Sequence, residues 1–173
     1  LKPMELAQWK LLRLRPDNFP TVRLAQFASL IFRSSKLFSV ILETHSGKEL
    51  RKLFDTRVTE YWQKHYLFGR KSSVSTKKMG EKSIDILLIN TVIPFLFAWG
   101  KKKNDEHRME EAIRLLEEIK PENNTIIHRW KERGVTCQSA FDSQALLQLK
   151  KNYCEEKKCL QCRIGHKVLT INK

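Results

Sequence analysis

The stretch RLRPDNFPTVRLAQFASLIFR, Arg13–Arg33, decides how the chain is read, because it joins charge, a constrained turn and an apolar helix. Asp17 and Asn18 are cap-type residues, and Pro20 suits a first helical turn, where its missing N–H costs nothing. Val22, Leu24, Ala25, Phe27, Ala28, Ile31 and Phe32 then predict a wide apolar face, with Arg23, Gln26, Ser29 and Arg33 on the other side. So constrained a turn entering so apolar a helix is first an architectural joint. On this reading Arg13 and Arg15 bond polar groups of their own fold, Asp85 among the candidates, and Arg23 and Arg33 remain to face a ligand.

Upstream, Met4, Leu6, Ala7, Leu11 and Leu14 predict a helix over residues 4–14 that stops before Pro16. Downstream, Lys36–Leu42 and Lys48–Phe54 are short helical segments separated by Ser46-Gly47. Thr56–Leu67, with Val58, Tyr61, Trp62, His65 and Tyr66, reads as another helix closed by Gly69. Gly69–Ser83 is polar, reads as an exposed connection, and makes residues 70–83 the best place for an internal subdivision. Ser83–Gly100 is apolar all round and predicts a buried helix kinked or broken near Pro94. Its apolar run Ile84–Trp99 is sixteen residues interrupted by Asp85, Asn90 and Pro94, which is short for a membrane span.

Asp105–Ile119 is the cleanest amphipathic pattern. Met109, Ala112, Ile113, Leu116 and Ile119 are expected inside, and Glu110, Glu111, Arg114, Glu117 and Glu118 outside. Glu122–Arg133 follows, with Gly134 in the position that ends helices. Ser139-x-x-Asp142 reads as a capping box opening a helix with Phe141, Ala145, Leu146, Leu149 and Tyr153 inward. Glycine and proline number only 6 and 5, too few for an all-β chain, and no strand pair stands out. The expected fold is all-α: an irregular multi-helix bundle of about seven or eight helices in a single domain over residues 1–173.

A net charge of +14 favours polyanionic partners, nucleic acid first, although basic side chains also serve solubility. Residues 1–103 hold 20 basic and 8 acidic side chains, residues 104–149 hold 6 and 9, and residues 150–173 hold 7 and 2. Any electrostatic footprint therefore belongs to the first half and the tail. The candidate phosphate contacts are Arg13, Arg15, Arg23, Arg33, Lys77, Lys78, Lys101, Lys102 and Lys103. Trp9, Tyr61, Trp62 and Tyr66 are candidates to stack bases, against the alternative that they pack the core.

The tail reads YCEEKKCLQCRIGH and spaces Cys154, Cys159, Cys162 and His166 within thirteen residues. Three thiolates and an imidazole can close a tetrahedral structural zinc site, with Cys137 as the alternative fourth ligand. Lys157, Lys158 and Arg163 would favour the thiolates. An iron–sulfur site lacks a cysteine after Cys162, a thioredoxin-like pair lacks its βαβ setting, and plain packing by small apolar cysteines stands as the alternative. The histidines are scattered, and there is no H-E-x-x-H, G-x-S-x-G or phosphate-cradling glycine loop, so no catalytic residue is assigned and an enzyme in this chain alone is not expected. Four cysteines in a basic chain without a basic-then-apolar leader suggest a reducing compartment, and the cytoplasm is the expected location.

Three blocks, Arg13–Leu30, Leu87–Gly100 (LLINTVIPFLFAWG) and Asn152–Leu169 (NYCEEKKCLQCRIGHKVL), resemble the DUF2851 proteins, an uncharacterised bacterial family found mainly in Bacteroidetes. The resemblance implies the C-terminal helical portion of a longer protein, in keeping with a chain that opens on leucine. It also implies a preceding region with acidic and histidine-rich strand motifs of a nuclease-like kind, none of which occurs here. The expected partners are nucleic acid and that missing region, without a membrane. The expected role is to bind or position nucleic acid for catalysis elsewhere. The alternatives are a structural or oligomerisation module and a small zinc-stabilised interaction domain.

Overall fold

The computed structural model describes Glu5, Gln8, Trp9 and residues 11–171. They form an all-α arrangement with one short strand pair, and the chain divides into two compact units, Leu1–Leu88 and Ile89–Lys173. Met4, Leu6 and Ala7, nominated for a first helix, lie outside the described residues. Over the rest of that stretch the helix gives way to turns, and Arg13 takes a left-handed φ of 63°.

In the first unit a 3-10 turn, Pro16–Asn18, enters helix α1, Pro20–Arg33, with Pro20 at its first position as the sequence implies. The buried stripe of α1 is Val22, Ala25, Gln26 and Leu30. The wider apolar face expected inside, Leu24, Phe27, Ala28 and Ile31, is exposed instead. One polar contact explains the rotation: Gln26 Nε2 donates to the carbonyl of Lys77 at 2.8 Å, which draws that side of the helix into the core. Helices α2 (Leu37–Glu43) and α3 (Gly47–Phe54) follow, and α3 sends Leu50 and Phe54 inward.

The helix expected over Thr56–Leu67 shrinks to α4, Glu60–Gln63. His65–Leu67 (β1) and Arg70–Lys71 (β2) pair antiparallel with an irregular register, a hairpin that the helical reading missed. Gly69, at φ +70°, supplies the left-handed residue of the turn. The polar strap after β2 returns along this hairpin, its Ser72 and Ser75 N–H groups donating to the carbonyls of Lys64 and Gln63.

Lys77 ties the unit together. It is 3% exposed, and its Nζ donates to the carbonyls of Trp62 (2.7 Å) and Gln63 (2.9 Å) and to Ser72 Oγ (3.4 Å). It also sits 4.0 Å from the centroid of the Tyr66 ring. Arg23 extends the network, donating to Gln26 Oε1, Asn18 Oδ1 and Ser83 Oγ. Helix α5, Glu81–Leu87, is pinned to α3 by Arg51 Nε–Asp85 Oδ1 at 2.8 Å. Asp85 thus pairs with Arg51, not with Arg13 or Arg15.

Glu81–Lys103 is one helical run, comprising α5, a π-helical turn over Leu88–Val92, and α6, Ile93–Lys103. Pro94 has no N–H for the carbonyl one turn back, and its ring crowds that carbonyl. The wider π turn just before it relieves both problems without breaking the helix. The run is longer than its apolar stretch and, by length and composition, is enough to cross a membrane, with 39% of its window buried in the protein. Asn90 and Pro94 are exposed, so the helix is half-covered, not buried all round.

In the second unit α6 turns through Asn104, left-handed at φ 55°, into α7, Glu106–Glu117. A Cβ at Gly100 would meet Met109 Cγ at 3.0 Å and Asp105 O at 3.1 Å, so this corner needs glycine. The inward stripe of α7 is Glu111, Ala112 and Leu115, with Ile119 buried just beyond. Ile113 instead reaches the surface. Glu111, expected in water, is 5% exposed and accepts from Arg108 Nη1 at 2.7 Å.

Helix α8, Thr125–Glu132, is capped by Asn124 and ends with Gly134 at φ +79°. The Gly134 and Val135 N–H groups bond the carbonyls of Lys131 and Trp130, completing the helix stop the sequence signals. Helix α9, Ala140–Leu149, opens with the expected Ser139–Asp142 capping box. It buries Ala140 and Ser143, while Phe141, Ala145 and Tyr153 are exposed. A π turn over Lys150–Cys154 and a 3-10 turn over Cys159–Gln161 lead to α10, Arg163–Ile171.

Replacing Lys77 with Met keeps the side-chain volume but leaves the Trp62 and Gln63 carbonyls without their donor. The expected cost is roughly 2–3 kcal/mol of first-unit stability, read as a lower urea midpoint. An unchanged midpoint would show that the network is not what holds the hairpin.

Candidate functional site

The nominated basic residues fall into two groups. Arg23 is half-buried and engaged with Asn18, Gln26 and Ser83, and Arg33 Nη1 donates to the Asp55 carbonyl at 3.0 Å. Lys77 is buried and its amino group is used inside the fold, so it presents no surface charge contact. Arg13 and Arg15, expected to be tied down, are exposed on the turns before α1, and Lys78 is exposed beside buried Lys77. Arg23 is thus drawn into the fold, Arg33 stays exposed while tethered to a carbonyl, and Arg13 and Arg15 stand exposed.

Lys101, Lys102 and Lys103 are exposed in the last turn of α6 in the second unit, where cations favour the negative end of the helix dipole. Lys103 Nζ lies 5.2 Å from the Trp99 ring centroid.

What the sequence did not nominate is the hairpin at residues 60–71. It arranges aromatic rings between cations. Tyr61 and His65 stack with centroids 4.1 Å apart and planes 6° from parallel. Trp62 meets Phe68 edge-on at 4.9 Å, and Tyr61 lies 6.4 Å from the same ring. Tyr61 Oη accepts from the Gly69 N–H at 3.1 Å, which fastens the turn over the ring stack. Arg57, Lys64, Arg70 and Lys71 are exposed around it. Lys64 bonds Glu60 at 2.6 Å, and that ammonium holds the Glu60 carboxyl below its ordinary range.

The base of the hairpin is fixed to α1, because Thr21 Oγ1 donates to the Tyr66 carbonyl at 2.6 Å and Phe19 meets Tyr66 edge-on at 6.2 Å. Tyr66 is therefore packing, and of the nominated aromatics Tyr61 is the exposed one here. The signal for the hairpin is HYLFGRK, with aromatic and β-favouring residues meeting a glycine at the one place a tight turn needs it.

The tail places Cys154 and Cys159 in exposed turns, Cys162 half-buried just before α10, and His166 exposed one turn into that helix. A Cβ at Gly165 would stand 2.5 Å from the Cys159 carbonyl oxygen, so glycine lets the 3-10 turn close onto α10. Among the described residues no three His, Cys, Asp or Glu side chains gather as a group able to hold a metal ion. Cys137 is buried away from solvent, its Sγ 3.9 Å from the Ser139 carbonyl, and burial pushes its thiol up.

Two clefts lie in the second unit. One of about 170 Å³ is lined by Ile126, Arg129, Trp130, Arg133, Lys150 and Cys154. The other, about 260 Å³, is an apolar groove that includes Ile93, Phe97, Ile113, Leu116 and Phe141.

No curated protein and no solved structure matches this chain. Residues 1–125 match the family described as "Protein of unknown function (DUF2851)", a span that holds the whole first unit and reaches α8. The third block of resemblance, Asn152–Leu169, lies beyond the matched residues. With most of its length matched, and with two of the three blocks inside that span, the chain belongs to the DUF2851 family.

Proposed function

We propose that this chain binds nucleic acid through the basic surface of its first unit, holding it for a catalytic region outside this sequence. One observation carries the reading: the hairpin sets exposed Tyr61 and Phe68 beside exposed Arg70 and Lys71. Cations alone are common on soluble proteins. Cations interleaved with rings on a rigid hairpin offer phosphate pairing and base contact together. The balance of the unit supports it, with 17 basic against 8 acidic residues over residues 1–88. Arg13, Arg15 and Lys78 add exposed charge to that unit.

Binding to short DNA and RNA should weaken steeply with salt. The double variant Arg70→Ala/Lys71→Ala should lower the slope of log K against log salt by about 1.4–1.8, the loss of two phosphate contacts. Retention that ignores salt would overturn the reading.

A second reading, self-association, draws on the exposed α1 stripe Leu24, Phe27, Ala28 and Ile31, which repeats at helical spacing. On that reading light scattering gives a mass above 20.4 kDa that is insensitive to salt, and Phe27→Lys returns it to the monomer value. A monomer at every concentration would remove it.

The third reading, a zinc-stabilised tail, stands on the sequence spacing of Cys154, Cys159, Cys162 and His166 alone, since no three of these side chains gather among the described residues. Elemental analysis should then find about one zinc per chain, lost in Cys159→Ser/Cys162→Ser. A ratio near zero in protein purified without chelator would end it.

A further inference from the structure

Phe68 occupies the tip of the hairpin and is 73% exposed, with Tyr61 below it 43% exposed. Exposed to that degree, the Phe68 ring forgoes most of the stabilisation that burial would give it. The turn itself needs only the glycine at 69, and Phe68 keeps most of its surface in solvent. The ring is nevertheless held. Trp62 meets it at 4.9 Å with planes 69° apart, Tyr61 lies at 6.4 Å, and Gly69 N–H is bonded to Tyr61 Oη. Beneath, Tyr61 is itself braced by the parallel His65 ring, whose Nδ1 lies 2.8 Å from the Tyr61 carbonyl.

The support continues into the core, because the carbonyls of Trp62 and Gln63 are held by Lys77. An exposed aromatic on a rigid mount, with Arg70 and Lys71 adjoining on β2, presents a ring already in position and charges beside it.

We propose that Phe68 is a stacking platform for an unpaired base, so that the nucleic acid taken by this face is single-stranded. This rests on the reading that the basic surface of the first unit meets nucleic acid. A duplex keeps its base faces buried in its own stack and offers this tip only backbone. An unpaired strand offers a planar face to Phe68 while its phosphates meet Arg70 and Lys71. Stacking is tolerant of base identity, so the preference is for strandedness and not for sequence.

The test measures fluorescence anisotropy of labelled oligonucleotides of about 12 residues. Single strands (oligo-dT and oligo-U) are compared with a duplex of the same length, using the full chain across a salt series. Phe68→Ala should weaken single-strand binding by about 5- to 100-fold, leave duplex binding and the salt slope nearly unchanged, and be rescued by Phe68→Trp. Phe68→Ala also gives up the edge-on contact with Trp62, so Phe68→Leu, which keeps an apolar side chain at the tip, is measured beside it; with a melt matching the parent it should still weaken single-strand binding. Equal affinity for both forms, with Phe68→Ala silent, overturns the platform and leaves the basic-face reading standing. No salt-dependent binding to either form removes the basic-face reading and this inference with it. Phe68-dependent binding to anionic vesicles in place of oligonucleotides would also overturn it, marking the tip as a lipid contact.

Discussion

The first unit depends on one buried ammonium. Lys77 is taken out of water at a substantial desolvation cost, and that cost is offset only if its donors are met. They are met by two carbonyls at the end of α4, a serine hydroxyl on the strap and the face of Tyr66 on β1. The lysine adds to the backbone bonds by which Ser72 and Ser75 of the strap already meet Lys64 and Gln63. Charge-assisted bonds are about twice as strong as neutral ones, so the lysine converges a four-residue helix, a three-residue strand and a strap with little helix propensity. Such small elements are marginal alone. The same contact reaches α1, since the Lys77 carbonyl accepts from Gln26, and Arg23 carries the network to Asn18 and Ser83.

The second unit is organised differently, by close backbone approach and by caps. Gly100 admits α7 to the surface of α6, and Asp105 caps that helix by accepting from Arg108 N–H. Ala140 N–H donates to the Ile119 carbonyl at 2.7 Å, tying the start of α9 to the segment just after α7. Ser143, fully buried, accepts from Glu122 N–H and donates to the Ala140 carbonyl. This unit therefore combines local caps with bridges between residues 21 positions apart, whereas the first rests on contacts between residues 51 and 60 positions apart.

That difference sets what could be read from the sequence. Ser139–Asp142, Gly134 and Pro20 act within a few residues, and each was legible as a helix signal. The faces of α1 and α7 were not. Composition marks the most apolar stripe, but burial followed Gln26 and Glu111, whose polar partners draw them inward. The hairpin was hidden because Tyr61, Trp62, His65 and Tyr66 also satisfy a helical spacing. Choosing the strand required knowing that Lys77 would return to hold the Trp62 and Gln63 carbonyls. Arg13 and Arg15 looked structural beside so constrained a turn. The bonding went instead to Arg23, one turn into α1, where Asn18, Gln26 and Ser83 are all within reach.

The same accounting bears on what a ligand meets. A formal charge of +14 counts every cation equally, but the fold does not spend them equally. Arg51 is matched by Asp85 and Lys64 by Glu60, so their far fields are largely cancelled. Arg23 and Lys77 spend donors inside the fold, on amide, hydroxyl and carbonyl groups of neighbouring elements. The cations open to solvent are others, Arg70 and Lys71 on the hairpin and Arg13 and Arg15 on the turns before α1. The buried lysine therefore acts on the surface through shape, because the carbonyls it holds fix the end of α4 from which the hairpin leaves. Charge count and surface geometry are set by different side chains, the buried cations shaping what the exposed ones present.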